Sequence, residues 1–288
     1  MFALSYFVNS MKNQLIAIYL LIIAFNSNKL FAQEKEFTPS VSGIESSEPF
    51  MFSVSSLTPE HTNWNLDYSG SYGERVSGPF GYDGVNQQLA VKGYLGKKFT
   101  VYAFNAFGFI SSEKVVSAQQ AEVIRNFLGG TKNNGLRVGG GIGFRRDYSD
   151  VKSLLGRVTL SYNTSKWKTT GNLLFEKAMA SNRDGLDFIT SLGVQYSLAQ
   201  NLYGGIEAIG EDLEGFWDEE EAEGGAKLLI GPSLNLTPQK SKLSFSLAGG
   251  PVFYATRNQV YNPDAIRELP SKAGLMIRAR VIFKLSGS

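Results

Sequence analysis

Cysteine is absent from the 288 residues, which excludes disulfides, thiolate metal sites and a lipid-modified N-terminal cysteine. Histidine is nearly absent: His61 alone could serve a hydrolytic Ser/His pair, and it precedes the first candidate strand, so it reads as a solvated residue and no catalytic role is expected. An excess of one charge is lacking too. With 28 basic and 26 acidic residues the net charge is +2, and no bulk pull toward nucleic acid is expected. Long apolar runs are missing after the N-terminus. The one run present, Leu15 to Phe25, is short of the ~20 residues a spanning helix needs. Lys12 precedes it and Leu30-Phe31-Ala32 closes it on a small residue, so 1–32 reads as an export signal and the mature chain is expected to start at Gln33. Met11-Lys12-Asn13 is the more usual opening of such a signal, which makes residues 1–10 an upstream extension. No later helix can cross a bilayer, and what remains is a soluble protein or a β-barrel.

What is present favours strands. Aromatic residues form 12% of the chain and glycines number 31, a mixture suited to short strands with tight turns. From Asn63 the sequence alternates with period two. Trp64, Leu66, Tyr68 and Tyr72 fall on one face of the first segment, and Asn63, Asn65, Asp67, Ser69 and Ser71 on the other. The last segment repeats the split, with Leu275, Ile277, Ala279, Val281, Phe283 and Leu285 set against Met276, Arg278, Arg280, Ile282 and Lys284. A soluble sandwich would also alternate, so one strand does not decide between the two architectures.

Repetition decides. Candidate strands lie near 63–73, 87–96, 98–111, 115–127, 136–147, 154–164, 166–177, 186–198, 201–212, 225–236, 242–255 and 273–286. The connections alternate. Short ones lie at Gly96-Lys97-Lys98, Gly129 to Gly135, Ser165, Ala199-Gln200-Asn201 and Thr237 to Ser241; long ones run from Gly73 to Asn86, Gly215 to Gly224 and Arg257 to Lys272. Bacterial barrels place short turns in the periplasm and long loops outside, with an even number of strands. That parity bears on 115–127, where Val115, Val116, Gln119, Val123 and Phe127 also fit an amphipathic helix. An even count reads this stretch as a strand; the alternative keeps the helix and recruits Phe50 to Leu57 as the missing strand. The expected fold is all-β, a single antiparallel transmembrane barrel over 63–288 of about twelve strands, with ten the alternative count. The Pro/Ser-rich stretch 33–62 is expected to be a flexible periplasmic lead-in.

The same alternation turns charge inward. Arg145, Arg157, Glu176, Asp187, Glu207, Glu211, Lys227, Arg278 and Arg280 fall on the polar face, while Phe188, Leu192, Val194 and Tyr196, or Leu228, Ile230, Leu234 and Leu236, fall on the other. A charge facing acyl chains costs ~2–4 kcal/mol near the midplane, so its confinement to one face follows if the other meets lipid. Arg157 lies one strand from Glu176, and Glu207 or Glu211 one strand from Lys227, so pairs across neighbouring strands are expected. These charges could form a selective constriction or an internal salt-bridge network, and about twelve strands leave the lumen's openness undecided. The acidic run from Glu211 to Glu223 around Phe216 and Trp217 matches no calcium loop spacing, and its aromatics read as part of an interfacial girdle. Gly139-Gly140-Gly141-Ile142-Gly143 has no following helix and no Lys-Ser/Thr pair, so it reads as room for strands to bend or as lumen space.

Phe31-Ala32-Gln33, the stretches Gly210-Glu211-Asp212-Leu213-Glu214 and Glu221-Ala222-Glu223-Gly224-Gly225, Gly231-Pro232, Gly171-Asn172 and Phe175-Glu176-Lys177 resemble outer-membrane β-barrels of the Bacteroidetes type. The likeness covers most of the expected mature chain. It implies the fold and a place in the outer membrane of a Gram-negative-type bacterium; that barrel family has no assigned substrate or catalytic residue to carry over. The expected function is porin-like passage of a small solute through a charged lumen, with no enzymatic activity, cofactor or metal. The alternative is a closed structural barrel acting as accessory subunit of an envelope assembly. Outer-membrane lipid is the expected partner in both, and other envelope proteins in the second.

Overall fold

Every stretch that alternates apolar and polar side chains forms one strand, and twelve strands result: β1 (Trp64–Gly73), β2 (Gly84–Gly96), β3 (Phe99–Phe109), β4 (Val115–Leu128), β5 (Gly135–Arg146), β6 (Lys152–Asn163), β7 (Trp167–Ala178), β8 (Asp187–Ala199), β9 (Leu202–Glu211), β10 (Lys227–Leu236), β11 (Leu243–Tyr254) and β12 (Leu275–Leu285). The structure is a computed structural model and describes residues 49–58, 64–73, 84–109, 115–129, 134–180, 186–216, 226–238, 241–254 and 274–285. The expected signal at 1–32, His61 and Trp217 lie outside the described residues. Each strand pairs antiparallel with its sequence neighbours, and β1 pairs with β12 from Trp64↔Leu285 to Gly73↔Met276 to close the barrel. Closure satisfies the edge hydrogen bonds that hydrocarbon cannot.

The stretch where helix and strand readings compete is a strand. Ala118, Gln120, Glu122, Ile124 and Asn126 of β4 are buried, Val115, Val123 and Phe127 are exposed, and an unbroken register from Phe99↔Arg125 to Phe109↔Val115 binds β4 to β3. Residues 50–57, the substitute in the helical alternative, form no strand.

Turn chemistry explains the short connections. Lys97 and Lys98 have φ of 49° and 68° between the paired Gly96 and Phe99, the backbone of a two-residue type I′ turn. Left-handed backbone costs a non-glycine residue about 1 kcal/mol, and Asn-Gly suits this turn better. Replacing Lys97-Lys98 by Asn-Gly is therefore expected to stabilise the barrel by about 1 kcal/mol in urea unfolding from lipid vesicles; an unchanged midpoint would contradict the turn assignment. At β6–β7, Thr164 Oγ1 accepts the Trp167 amide at 2.9 Å. On the opposite side, Asp147 Oδ1 accepts the amides of Ser149 at 2.9 Å and Val151 at 3.0 Å and so closes the β5–β6 loop. The β10–β11 ladder is interrupted between Leu229 and Ser233, where Pro232 has no amide hydrogen to donate.

The outward face is apolar through its middle. Leu89, Ile142, Val158, Leu192, Ile206, Leu234 and Leu247 are exposed there, Ile142 by 74%. The charged residues on this face, Arg125, Arg146, Lys152 and Lys177, all stand close to a strand end, where water and headgroups are within reach. Aromatics gather near both rims. Trp64, Tyr162 and a Trp167–Tyr196 pair with centroids 4.7 Å apart lie near the short turns; Tyr72, Phe144 and a Phe175–Phe188 pair at 5.2 Å lie near the long loops. This is the surface of an outer-membrane barrel. Phe216 is exposed at the end of a short 3₁₀ turn, Leu213–Phe216, which follows β9.

The described part of the expected lead-in differs from that expectation. Residues 49–58 are packed inside the barrel: Phe50, Met51, Phe52 and Leu57 are buried, and Met51 and Phe52 join an apolar cluster with Leu155, Leu174, Ile189, Ile209, Leu229 and Val252. The physical reason is the triplet Phe50-Met51-Phe52, which buries its apolar surface where the inward faces of β6 to β11 offer apolar partners.

Candidate functional site in the barrel lumen

The inward face carries every charge that the alternation assigns to it. Arg145, Arg157, Glu176, Asp187, Glu207, Glu211 and Arg280 are buried; Lys227 and Arg278 lie on the same face, half-buried. The pairing differs from the expected one. Arg157 does not pair with Glu176 on the next strand. Its Nε reaches over β5 to Glu122 Oε2 on β4 at 2.7 Å and its Nη2 to Glu122 Oε1 at 2.8 Å, a two-pronged ion pair. Glu176 instead accepts Arg145 Nη1 at 2.5 Å, across β6. The Glu122–Arg157 reach crosses two glycines, and the Arg145–Glu176 reach passes Ser153 beside the Leu155 that stands opposite Glu176. Gly141 and Gly143 stand on β5 between Glu122 and Arg157, and Ser153 stands on β6 opposite Arg145. A Cβ at Gly143 would come within 2.5 Å of Glu122 Cγ, so only glycine leaves that carboxylate its place.

Gln120 links the two pairs, since its Oε1 accepts Arg145 Nε at 2.7 Å and its Nε2 donates to Glu122. Arg157 Nη1 donates to Asn172 Oδ1 at 3.0 Å, and the same oxygen accepts the Val54 amide at 2.7 Å. The network thus ends on the inserted segment.

That segment is anchored from wall to wall. Glu207 Oε2 accepts the amides of Met51 at 2.7 Å and Phe52 at 3.0 Å, Ser53 and Ser191 share a hydroxyl bond of 2.9 Å, Gln195 Nε2 donates to the Pro49 carbonyl at 3.1 Å, and the Leu57 amide donates to Thr100 Oγ1 at 2.8 Å. The anchors run from β8 and β9 through β7 to β3, so the decapeptide crosses the lumen. Gly193 admits Phe50, because a Cβ there would come within 2.3 Å of the Phe50 ring. Glu207 is therefore a backbone acceptor and not the expected partner of Lys227; Glu211 is the residue that stands opposite Lys227 in the β9–β10 register.

Beside residues 51–54 the lumen keeps a cavity of about 80 Å³, lined among others by Asp67, Ser69, Gln88, Tyr102, Arg145, Arg157, Arg278 and Arg280. Arg278 Nη2 donates to Ser69 Oγ at 3.0 Å and Gln88 Oε1 at 2.8 Å. Of the expected lumen charges, Arg145, Arg157, Arg278 and Arg280 meet here, while Asp187, Glu211 and Lys227 stand elsewhere, at the long-loop ends of their strands. Glu122, Gln120 and Asp67 were missing from the expected set. Strand parity in β4 identifies the first two once the helical reading is set aside, and parity in β1 already turned Asp67 inward. Toward the long loops, Tyr148 folds in over Ala90, Phe104, Ala106 and Ala118, and its hydroxyl accepts Asn86 Nδ2 at 2.5 Å. Among the described residues no group of three or more His, Asp or Glu could hold a metal ion.

The backbone is similar to that of an outer-membrane channel from Pseudomonas putida F1, with a TM-score of 0.53 and 9% identity over 83% of this chain and 100% of that one. It is also similar to the KdgM porin, at TM-score 0.49 and 8% identity over 77% of this chain and 99% of that one, and to the NanC porin, at 0.49 and 13% over 76% and 100%. No family model and no curated protein matches the sequence. At 9% identity the likeness to the Pseudomonas putida channel shows the fold alone, that of an outer-membrane β-barrel.

Proposed function

We propose that the protein is a porin-like channel that passes a small solute across the outer membrane, and that residues 49–58 are the barrier across its lumen. The observation that carries this reading is the cavity at mid-lumen, where four guanidinium groups line a space inside a lipid-facing wall. A barrel needed only as a scaffold gains nothing from buried charge, because a packed apolar interior is as stable or more so. A charged lining, in contrast, is what a constriction uses to sort solutes. The likeness of 210–225 and 171–177 to Bacteroidetes-type barrels supports the same setting, and the reading of 1–32 as an export signal supports the route there.

The second reading, a closed barrel that serves as accessory subunit of an envelope assembly, is favoured by one observation: the decapeptide and its hydrogen bonds fill much of the lumen. Planar-bilayer recording of the purified full chain separates the two. The channel reading expects discrete, small or infrequent open levels. A folded barrel that stays silent, even after the lumen segment is removed, would reject it in favour of the accessory subunit.

A further inference from the structure

The cavity beside residues 51–54 has an uneven charge lining: four arginines and one carboxylate, Asp67. Arg145 is matched by Glu176 and Arg157 by Glu122, and Arg280 has an interaction of its own. Arg278 is held differently. Among the described residues its guanidinium donates to neutral oxygens, those of Ser69 and Gln88, and no carboxylate lies within ion-pair distance. These two bonds aim a fixed cation at the cavity wall with donor capacity to spare, since a guanidinium has five N–H groups. Arg280, two residues on and on the same face, lines the same space.

Asp67 stands across the β1–β12 pair from these arginines and shows the opposite imbalance. It is 6% exposed, yet its Oδ1 has no hydrogen-bond partner among the described residues. A buried carboxylate oxygen without a donor is costly, and such an atom is a specific place for a ligand's donor. The site therefore offers surplus donors at Arg278 and a vacant acceptor at Asp67, side by side in one cavity.

We propose that this cavity binds a small organic acid that carries a hydrogen-bond donor next to its carboxylate, a hydroxy acid or an amino acid, with the carboxylate on Arg278 and Arg280 and the donor on Asp67. The inference deepens the channel reading by naming a solute class and rests on it for its biological meaning. Planar forks suit carboxylates, and a donor aimed at Asp67 separates such acids from simple ones.

The test compares lactate with propionate, which differ by the hydroxyl, and adds alanine, which carries an ammonium instead. Titration calorimetry on the refolded full chain in detergent, with folding checked by heat-modifiable gel mobility, should give lactate or alanine an affinity about tenfold above propionate, the worth of a hydrogen bond to a buried charge. The better of the two identifies the donor as hydroxyl or ammonium. In Asp67→Ala that preference should vanish while propionate binding persists, and Arg278→Gln should weaken all three. Equal binding of the three acids by the wild type, or no binding by a correctly folded barrel, would overturn the proposal without needing any variant to fold. Because calorimetry needs no membrane, lactate or alanine binding by a barrel that stays silent in bilayers even without the lumen segment rejects the channel alone, whereas conduction by a barrel that shows no such preference in calorimetry rejects the acid site alone.

Discussion

Replacement of residues 49–58 by a Gly/Ser chain of equal length is expected to raise single-channel conductance severalfold in planar bilayers. The decapeptide runs from Pro49 at Gln195 to Leu57 at Thr100, so it stands across the path of any solute or ion. The wall does not depend on it: twelve strands pair through the full closed circuit without its help. Removal takes away Phe50, Met51 and Phe52 and leaves Glu207 to be met by water. Ion flow would then be limited by barrel width and by Tyr148 near the long loops. Unchanged conductance in a folded variant would show that the barrier lies elsewhere, and that residues 49–58 serve only as packing.

Glu122→Gln should lower stability by about 3 kcal/mol, measured by denaturant unfolding from lipid vesicles, the typical loss when one partner of a buried ion pair is removed. Glu122 is 2% exposed and takes both prongs of Arg157. Its loss leaves a guanidinium on the lumen face whose remaining hydrogen bond among the described residues is to Asn172, the residue that also holds the Val54 amide. The change should therefore loosen the inserted segment and increase open-channel frequency in the same variant. In Glu122→Gln/Arg157→Gln neither charge is left uncompensated, and the double variant should recover most of the lost stability. If the single and double variants are equally stable, the pair contributes nothing and the network is incidental.

The wall was largely legible in the sequence because a lipid-facing strand must alternate. The strands lie within three residues of the positions read from that alternation, and the even count placed β4 where local propensity slightly favoured a helix. Inward and outward faces followed from the same parity, which turns Arg145, Arg157, Glu176, Arg278 and Arg280 toward the lumen. What was hidden is what depends on distance across the lumen. Phe50-Met51-Phe52 is too short to show a period, and the partners of residues 51–54, namely Glu207, Ser191 and Asn172, are more than a hundred residues away in the chain. The Glu122–Arg157 pair skips a strand where Gly141 and Gly143 leave room in between, and neighbour-strand reasoning does not see past an intervening strand. Glu122 escaped notice for the further reason that its segment was ambiguous in period.

The claim beneath all of this is that one side of each strand meets acyl chains and the other does not. Single tryptophans at Leu192 and Ser191, adjacent on β8, test it in vesicles of brominated phospholipid with the native tryptophans replaced by phenylalanine. Strong quenching at 192 with little at 191 is the predicted result. Equal quenching at both, or quenching at 191 alone, would contradict the outward placement of the apolar face and with it the barrel's place in the membrane.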